Sequence, residues 1–180
     1  ENTISISPGV LNVFDIADTM ENNGICSRED FLNACRDKSE YDYDFLDSVT
    51  SYETTAYQLE GYLFPDTYEF YVGETANSVI KKFLANGDTK IKEKYRKRAD
   101  ELGYSMNDII KIASIIQCEA GNKEQMKTIS AVIHNRLKDQ ANFPLLGVDS
   151  TADYITNKVA PALTSTSAHT ADYYKTYYST

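Results

Sequence analysis

From Ala76 to Lys138 the apolar residues recur at helical spacing with only short interruptions, whereas the stretch before residue 76 mixes strand-like and helix-like runs. That change of period is the strongest constraint on the fold. It predicts an α+β chain: a small strand–helix–helix–strand unit over residues 1–75, then a mainly helical part over residues 76–180. A length of 180 residues suits one compact domain, or two small ones sharing an interface.

In the first part, "TISIS" at 3–7 alternates β-branched and small residues, and Pro8-Gly9 ends it. Val10, Val13, Ile16, Ala17 and Met20 then fall at helical spacing, with Gly24 as a C-cap. Ser27 with Asp30 three residues on resembles a capping box for a short second helix. Residues 38–56 are polar, aromatic and acidic, an irregular connection. "TYEFYV" at 67–72 is rich in aromatic and β-branched residues and reads as a strand.

In the second part, residues 76–103 carry an apolar face of Val79, Ile80, Phe83 and Leu84 and end at Gly103. The eight basic residues between Lys81 and Arg98 read as a solvated face. Ser105 and Asp108 open the next helix, which ends at Gly121, and Asn122 can cap the one after it, giving an αα-hairpin. A loop at 143–155 and a Thr/Ser/Tyr-rich tail follow.

A net charge of −9 argues against nucleic acid, whose phosphates need a basic footprint. Cys26, Cys35 and Cys118 form no CxxC pair and no His cluster, so neither a metal site nor a cofactor is expected. Cys26 and Cys35 can pair only if helix geometry brings them together, and the odd count leaves one thiol free. Fourteen Tyr and no Trp suggest either grooves lined by amphipathic rings or a half-buried rim. No run of 18 apolar residues exists. The first residue is Glu, so a trimmed or mature form is expected, with any anchor outside this chain.

One carboxylate stands out. In "IIKIASIIQCEAGNKEQ", Glu119 falls near the last turn of its helix, beside unsatisfied carbonyls and close to Ile115 and Ile116. Both surroundings disfavour the ionised form, which is what a general acid requires near neutral pH. A solvent-facing residue with no role is the plain alternative.

"IIQCEAG" resembles the I-x-x-E-[SAT] signature of lytic transglycosylases. With it, "LEGYLFPDTYEF" at 59–70, "SAVIHNRLK" at 130–138, "DSTADYI" at 149–155 and "YKTY" at 174–177 occur in the order seen in the endolytic murein transglycosylase family, MltG or YceG-like. The opening resembles the LysM-like portion that precedes that family's catalytic part, and the resemblance covers essentially the whole chain. It implies a LysM-like unit at 1–75 and a transglycosylase catalytic part at 76–180, truncated at its C-terminus.

The implied activity is endolytic cleavage of the MurNAc–GlcNAc β-1,4 bond of peptidoglycan glycan strands, leaving 1,6-anhydroMurNAc ends. Glu119 would serve as acid and then base, so no carboxylate pair is required. The implied partners are glycan strands and peptidoglycan synthases, with no nucleic acid, and a membrane only through an anchor. The implied location is the extracytoplasmic face of the bacterial cell membrane. A lysozyme-type hydrolase and a non-catalytic peptidoglycan-binding module with a degenerate site are the alternatives.

The resemblance also names substrate-binding residues: Glu60, Tyr62, Asp149, Ser150, Thr151, Tyr174 and Tyr177. Glu60 and Tyr62 would line the cleft beside Glu119, or else belong to a buried hairpin holding the two parts together. Asp149, Ser150 and Thr151 would hydrogen-bond sugar hydroxyls from a loop. Arg136 would hold a carboxylate or form a salt bridge. Three positions depart from the family pattern: Gln117 where many members carry Glu, Gly147 where Gln is frequent, and Lys175 in place of Asn.

Overall fold

A computed structural model describes residues 2–7, 12–50 and 55–162. The chain divides into two compact units, Glu1–Asn107 and Asp108–Thr180.

The first unit holds the expected strand–helix–helix–strand order. Strands β1 (Asn2–Ser5) and β2 (Thr67–Phe70) pair antiparallel, with Ile4 opposite Tyr68 and Ser5 opposite Thr67. Along β2, Tyr68 and Phe70 are buried and Thr67 and Glu69 exposed, the period of a sheet wet on one face. Helix α1 (Val13–Asn22) buries Val13, Ile16, Ala17 and Met20, a helical stripe. The Asn12 side chain caps it by accepting from the amides of Phe14 and Asp15 at 3.1 and 3.0 Å. Gly24, at φ +68°, makes the left-handed turn that ends it. Helix α2 (Arg28–Arg36) starts as expected: the Ser27 hydroxyl accepts from the Asp30 amide at 3.1 Å and donates to the Asp30 carboxylate at 2.6 Å.

The connection at 38–56 is polar in composition but not peripheral. Single 3₁₀ turns at Lys38–Glu40 and Asp44–Leu46 place Phe45 and Leu46 in the core. Buried Gln58 accepts from the Lys38 amide at 2.9 Å and donates to the Thr50 carbonyl at 2.7 Å, satisfying two backbone groups along with its own amide. Cys26 and Cys35 are not disulfide-bonded, and burial pushes the Cys35 thiol well above its ordinary range.

Residues 76–103 form two helices where one was expected, α3 (Ala76–Lys90) and α4 (Glu93–Leu102). The run Asn86-Gly87-Asp88-Thr89 is poor in helix formers, and Ile91 leaves the helix to bury its side chain. Gly103 ends α4 at φ +76°.

The first compact unit runs on past residue 76 to Asn107, and α3 packs into its core. Phe83, fully buried, packs on Tyr68 and Phe70 at ring-centroid distances of 4.4 and 5.7 Å. A half-core ending at residue 75 would leave those rings open to water.

The second unit is an αα-hairpin with an appended turn. Helix α5 (Met106–Glu119), which begins at the boundary, is followed by α6 (Lys123–Lys138), then α7 (Asp149–Tyr154). A wider π turn at Ile155–Val159 and one last turn, α8 (Ala160–Ala162), complete it. Ile112, Ile133, Ile155 and Val159 are its buried apolar residues. Among the described residues no helix is long and apolar enough to cross a membrane.

Candidate active site

Glu119 is the last residue of α5, and the turn that follows is built by local chemistry. The Asn122 side chain accepts from the Gln125 amide at 3.0 Å, and Gln125 returns its own carbonyl oxygen to the Gly121 amide at 2.9 Å. A Cβ on residue 121 would lie 3.2 Å from that oxygen, so glycine here provides room; its backbone is not left-handed.

The 149–155 motif is brought to this helix end. The Ser150 amide donates to Glu119 Oε1 at 3.4 Å. Ser150 lies in the first turn of α7, whose N-cap residue is Val148. Valine has no side-chain acceptor, so the free amides at that helix start lack the usual partner, and Glu119 supplies one from 31 residues away. The carboxylate is exposed, Ile115 and Ile116 are half-buried, and the expected apolar surroundings of Glu119 are not there. Asp149 is exposed, while Ser150 and Thr151 are half-buried.

The loop into α7 is held by α6. Arg136 donates from Nη1 to the Leu146 carbonyl, and its guanidinium lies 5.7 Å from the centre of the Phe143 ring. Arg136 thus pairs with no carboxylate among the described residues, contrary to both roles expected of it; its partners are a backbone carbonyl and a ring. Gly147 follows at φ +61°, and a Cβ there would sit 3.4 Å from Arg136 Nη1. The backbone at position 147 therefore favours glycine. Gly147→Ala should destabilise the second unit by about 1–2 kcal/mol through the left-handed backbone, measured as a fall in urea midpoint. An unchanged midpoint would mean the turn relaxes to another conformation.

The residues expected from the 59–70 block are engaged inside the first unit. Glu60 accepts from the Val13 amide at 3.1 Å and the Gly61 amide at 3.0 Å, so its carboxylate caps α1. Tyr62 is 3% exposed, its hydroxyl donates to Asn107 Oδ1 at 3.1 Å, and its ring stacks on Phe45 at 5.9 Å. Asp66 accepts from the Thr67 amide at 2.9 Å, with Lys90 and Asn86 beside it, and these contacts hold its carboxyl below the usual range. The block forms part of the first unit's core and its polar ties. Tyr174 and Tyr177 lie outside the described residues. Among the described residues no three His, Cys, Asp or Glu side chains are grouped to hold a metal.

Two motifs that meet through one carboxylate, in a chain with this motif order, raise the question of relatives. A profile of the YceG-like family matches residues 1–180. The chain belongs to the YceG-like family. An endolytic murein transglycosylase of Streptococcus pneumoniae (serotype 2, strain D39) is 36% identical to this YceG-like chain over 81 residues, 45% of the chain and 14% of that protein. One from Bacillus subtilis (strain 168) is 33% identical over 98 residues, 53% of the chain and 27% of that protein. The YceG-like chain therefore spans under a third of the curated relatives it matches. The crystal structure of a yceG-like protein from Listeria monocytogenes shares the fold, with a TM-score of 0.68 at 23% identity, covering 94% of this chain and 59% of that one.

Proposed function

We propose that the second unit carries the catalytic carboxylate of an endolytic peptidoglycan lytic transglycosylase, with Glu119 as that carboxylate. The observation that carries the reading is the Ser150–Glu119 hydrogen bond, which joins the two motifs that the resemblance assigns to chemistry and to sugar binding. Family membership supports it, as does the similarity to two endolytic murein transglycosylases.

In the proposed step Glu119 gives its proton to the oxygen linking MurNAc to GlcNAc as the MurNAc C1–O bond breaks. The MurNAc C6 oxygen closes on C1, and its proton passes to Glu119. The carboxyl group is regenerated and no water is consumed, so one carboxylate suffices. Asp149, Ser150 and Thr151 stand at the start of α7, where a sugar's hydroxyls or N-acetyl group would meet them. Tyr174 and Tyr177 are assigned to substrate binding by resemblance alone. Glu60 and Tyr62 are assigned to holding the first unit, a role that fits their contacts.

On this reading residues 1–75 form a LysM-like module that engages glycan strands. The protein would work on the extracytoplasmic face of the cell membrane, tethered by a segment outside this chain and acting beside peptidoglycan synthases. The test is mass spectrometry of purified peptidoglycan after digestion by the protein that carries this chain. Products ending in 1,6-anhydroMurNAc, lighter than reducing ends by one water, are expected. Reducing ends would establish a hydrolase instead, and glycan binding without any product would establish a binding module.

A further inference from the structure

We propose that Arg136 is a positioning residue for the candidate site: it fixes the loop before α7 so that the Ser150 amide meets the Glu119 carboxylate. The role in catalysis rests on the reading of Glu119 given above; the positioning itself does not.

The geometry is continuous from one helix to the other. Arg136 sits in the last turn of α6 and is half-buried, and it forms no ion pair with any described residue. Its guanidinium reaches along the loop, donating to the Leu146 carbonyl and lying 5.7 Å from the centre of the Phe143 ring. Gly147, next in the chain, turns left-handed against the same nitrogen, close enough that a Cβ would stand 3.4 Å away. Three residues later the Ser150 amide donates to Glu119 Oε1. Because Val148 has no side-chain acceptor to start α7, the placement of that first turn depends on the loop leading in and on the carboxylate receiving it.

The residue type fits the task. A planar guanidinium can lie over an aromatic ring and donate in its own plane at the same time. A lysine ammonium can replace the bond to the carbonyl but reproduces the ring contact less well. The Phe143 amide is held from α6 by the Asp139 carbonyl at 2.9 Å, so the guanidinium acts on the part of the loop that leads on to Leu146 and Gly147.

The test begins with a readout independent of activity, hydrogen exchange at the Ser150 amide in the 180-residue chain. Arg136→Ala should speed that exchange about tenfold, the scale of one lost hydrogen bond. Glu119→Ala should do the same, the double variant should add little to either, and Arg136→Lys should fall between wild type and Arg136→Ala. Amides in the middle of α5 and α6 should keep their protection. Unchanged Ser150 exchange would overturn the proposal, and so would equal loosening throughout α5 and α6, which would make Arg136 a general stabiliser.

The second readout is turnover of glycan strands. Arg136→Ala should lower kcat about 10- to 100-fold, the scale of a misplaced catalytic group, with KM little changed and partial recovery on adding guanidine. An exchange response with unaltered kcat would overturn the catalytic part. A wild-type protein without turnover would refute the reading of Glu119, while the exchange result would still judge Arg136.

Discussion

Glu119→Gln should reduce anhydro-ended products in a peptidoglycan digest by roughly 10²–10⁴-fold, the usual contribution of general acid–base catalysis. The amide keeps the side chain's shape and retains a carbonyl oxygen to accept from the Ser150 amide, so the start of α7 should hold. It has no proton to give to a leaving oxygen at neutral pH. Unfolding midpoint and glycan binding should therefore stay close to wild type while product disappears. The rival is position 117, two residues earlier on the same helix, where this chain has Gln. Two residues along a helix is a rotation of about 200°, so positions 117 and 119 project to different sides of α5. Only Glu119 meets the 149–151 motif. Adding Gln117→Glu to the Glu119→Gln variant should accordingly restore nothing. Recovered product would show that a carboxylate at position 117 can do the chemistry and would overturn the exclusive assignment to position 119.

Phe83→Ala should destabilise the first unit by about 3–5 kcal/mol, the range for emptying a buried aromatic site. Phe83 is fully buried and touches both inward-facing rings of β2, with Tyr68 at 4.4 Å and Phe70 at 5.7 Å. Removing it takes the α3 side away from the sheet's only dry face. Against a domain stability of about 5–15 kcal/mol, that loss should be plain in urea denaturation followed by tyrosine fluorescence. A loss under about 1 kcal/mol would mean that the core collapses to refill the site, and that α3 is not integral to the first unit.

The parts of this structure that depend on neighbours in sequence were legible from sequence. Asn122 caps α6 and Ser27 caps α2 because a short polar side chain three residues before a free amide carries its own geometry. The α5–α6 hairpin and the β1-α1-α2-β2 order followed from period together with capping and turn residues. What was hidden depends on burial across distance. The α3–α4 break has only a weak local sign, the Asn86–Thr89 run, and its place is set by Ile91 reaching the core. Glu60 looks like a free acid in sequence, yet its carboxylate caps a helix start 47 residues earlier. Residues 38–56 have the composition of a surface loop while Phe45 and Leu46 are buried. In the candidate site, Glu119 and the 149–151 motif were both visible. Their joining was not legible, because residues 143–155 read as a loop and the helix that starts at Asp149, with Val148 unable to cap it, was not expected. Arg136 gave no cue either, because its partner is a backbone carbonyl.

The two-stranded sheet also dictates an order of folding. Ser5 and Thr67 meet by a side-chain hydrogen bond across 62 residues of chain, so pairing β1 with β2 closes a long loop for only four residues of ladder. Two strands alone are marginal in water. The ladder therefore becomes favourable only once α1, α2 and the Gln58 crosslinks have drawn the intervening chain together, over separations of 8 to 20 residues in the case of Gln58. On that ground the strands should close the first unit late, as a clasp, after its helices have been gathered, and amides of the β1–β2 ladder should gain protection after those of α1 and α2 in pulsed hydrogen exchange during refolding.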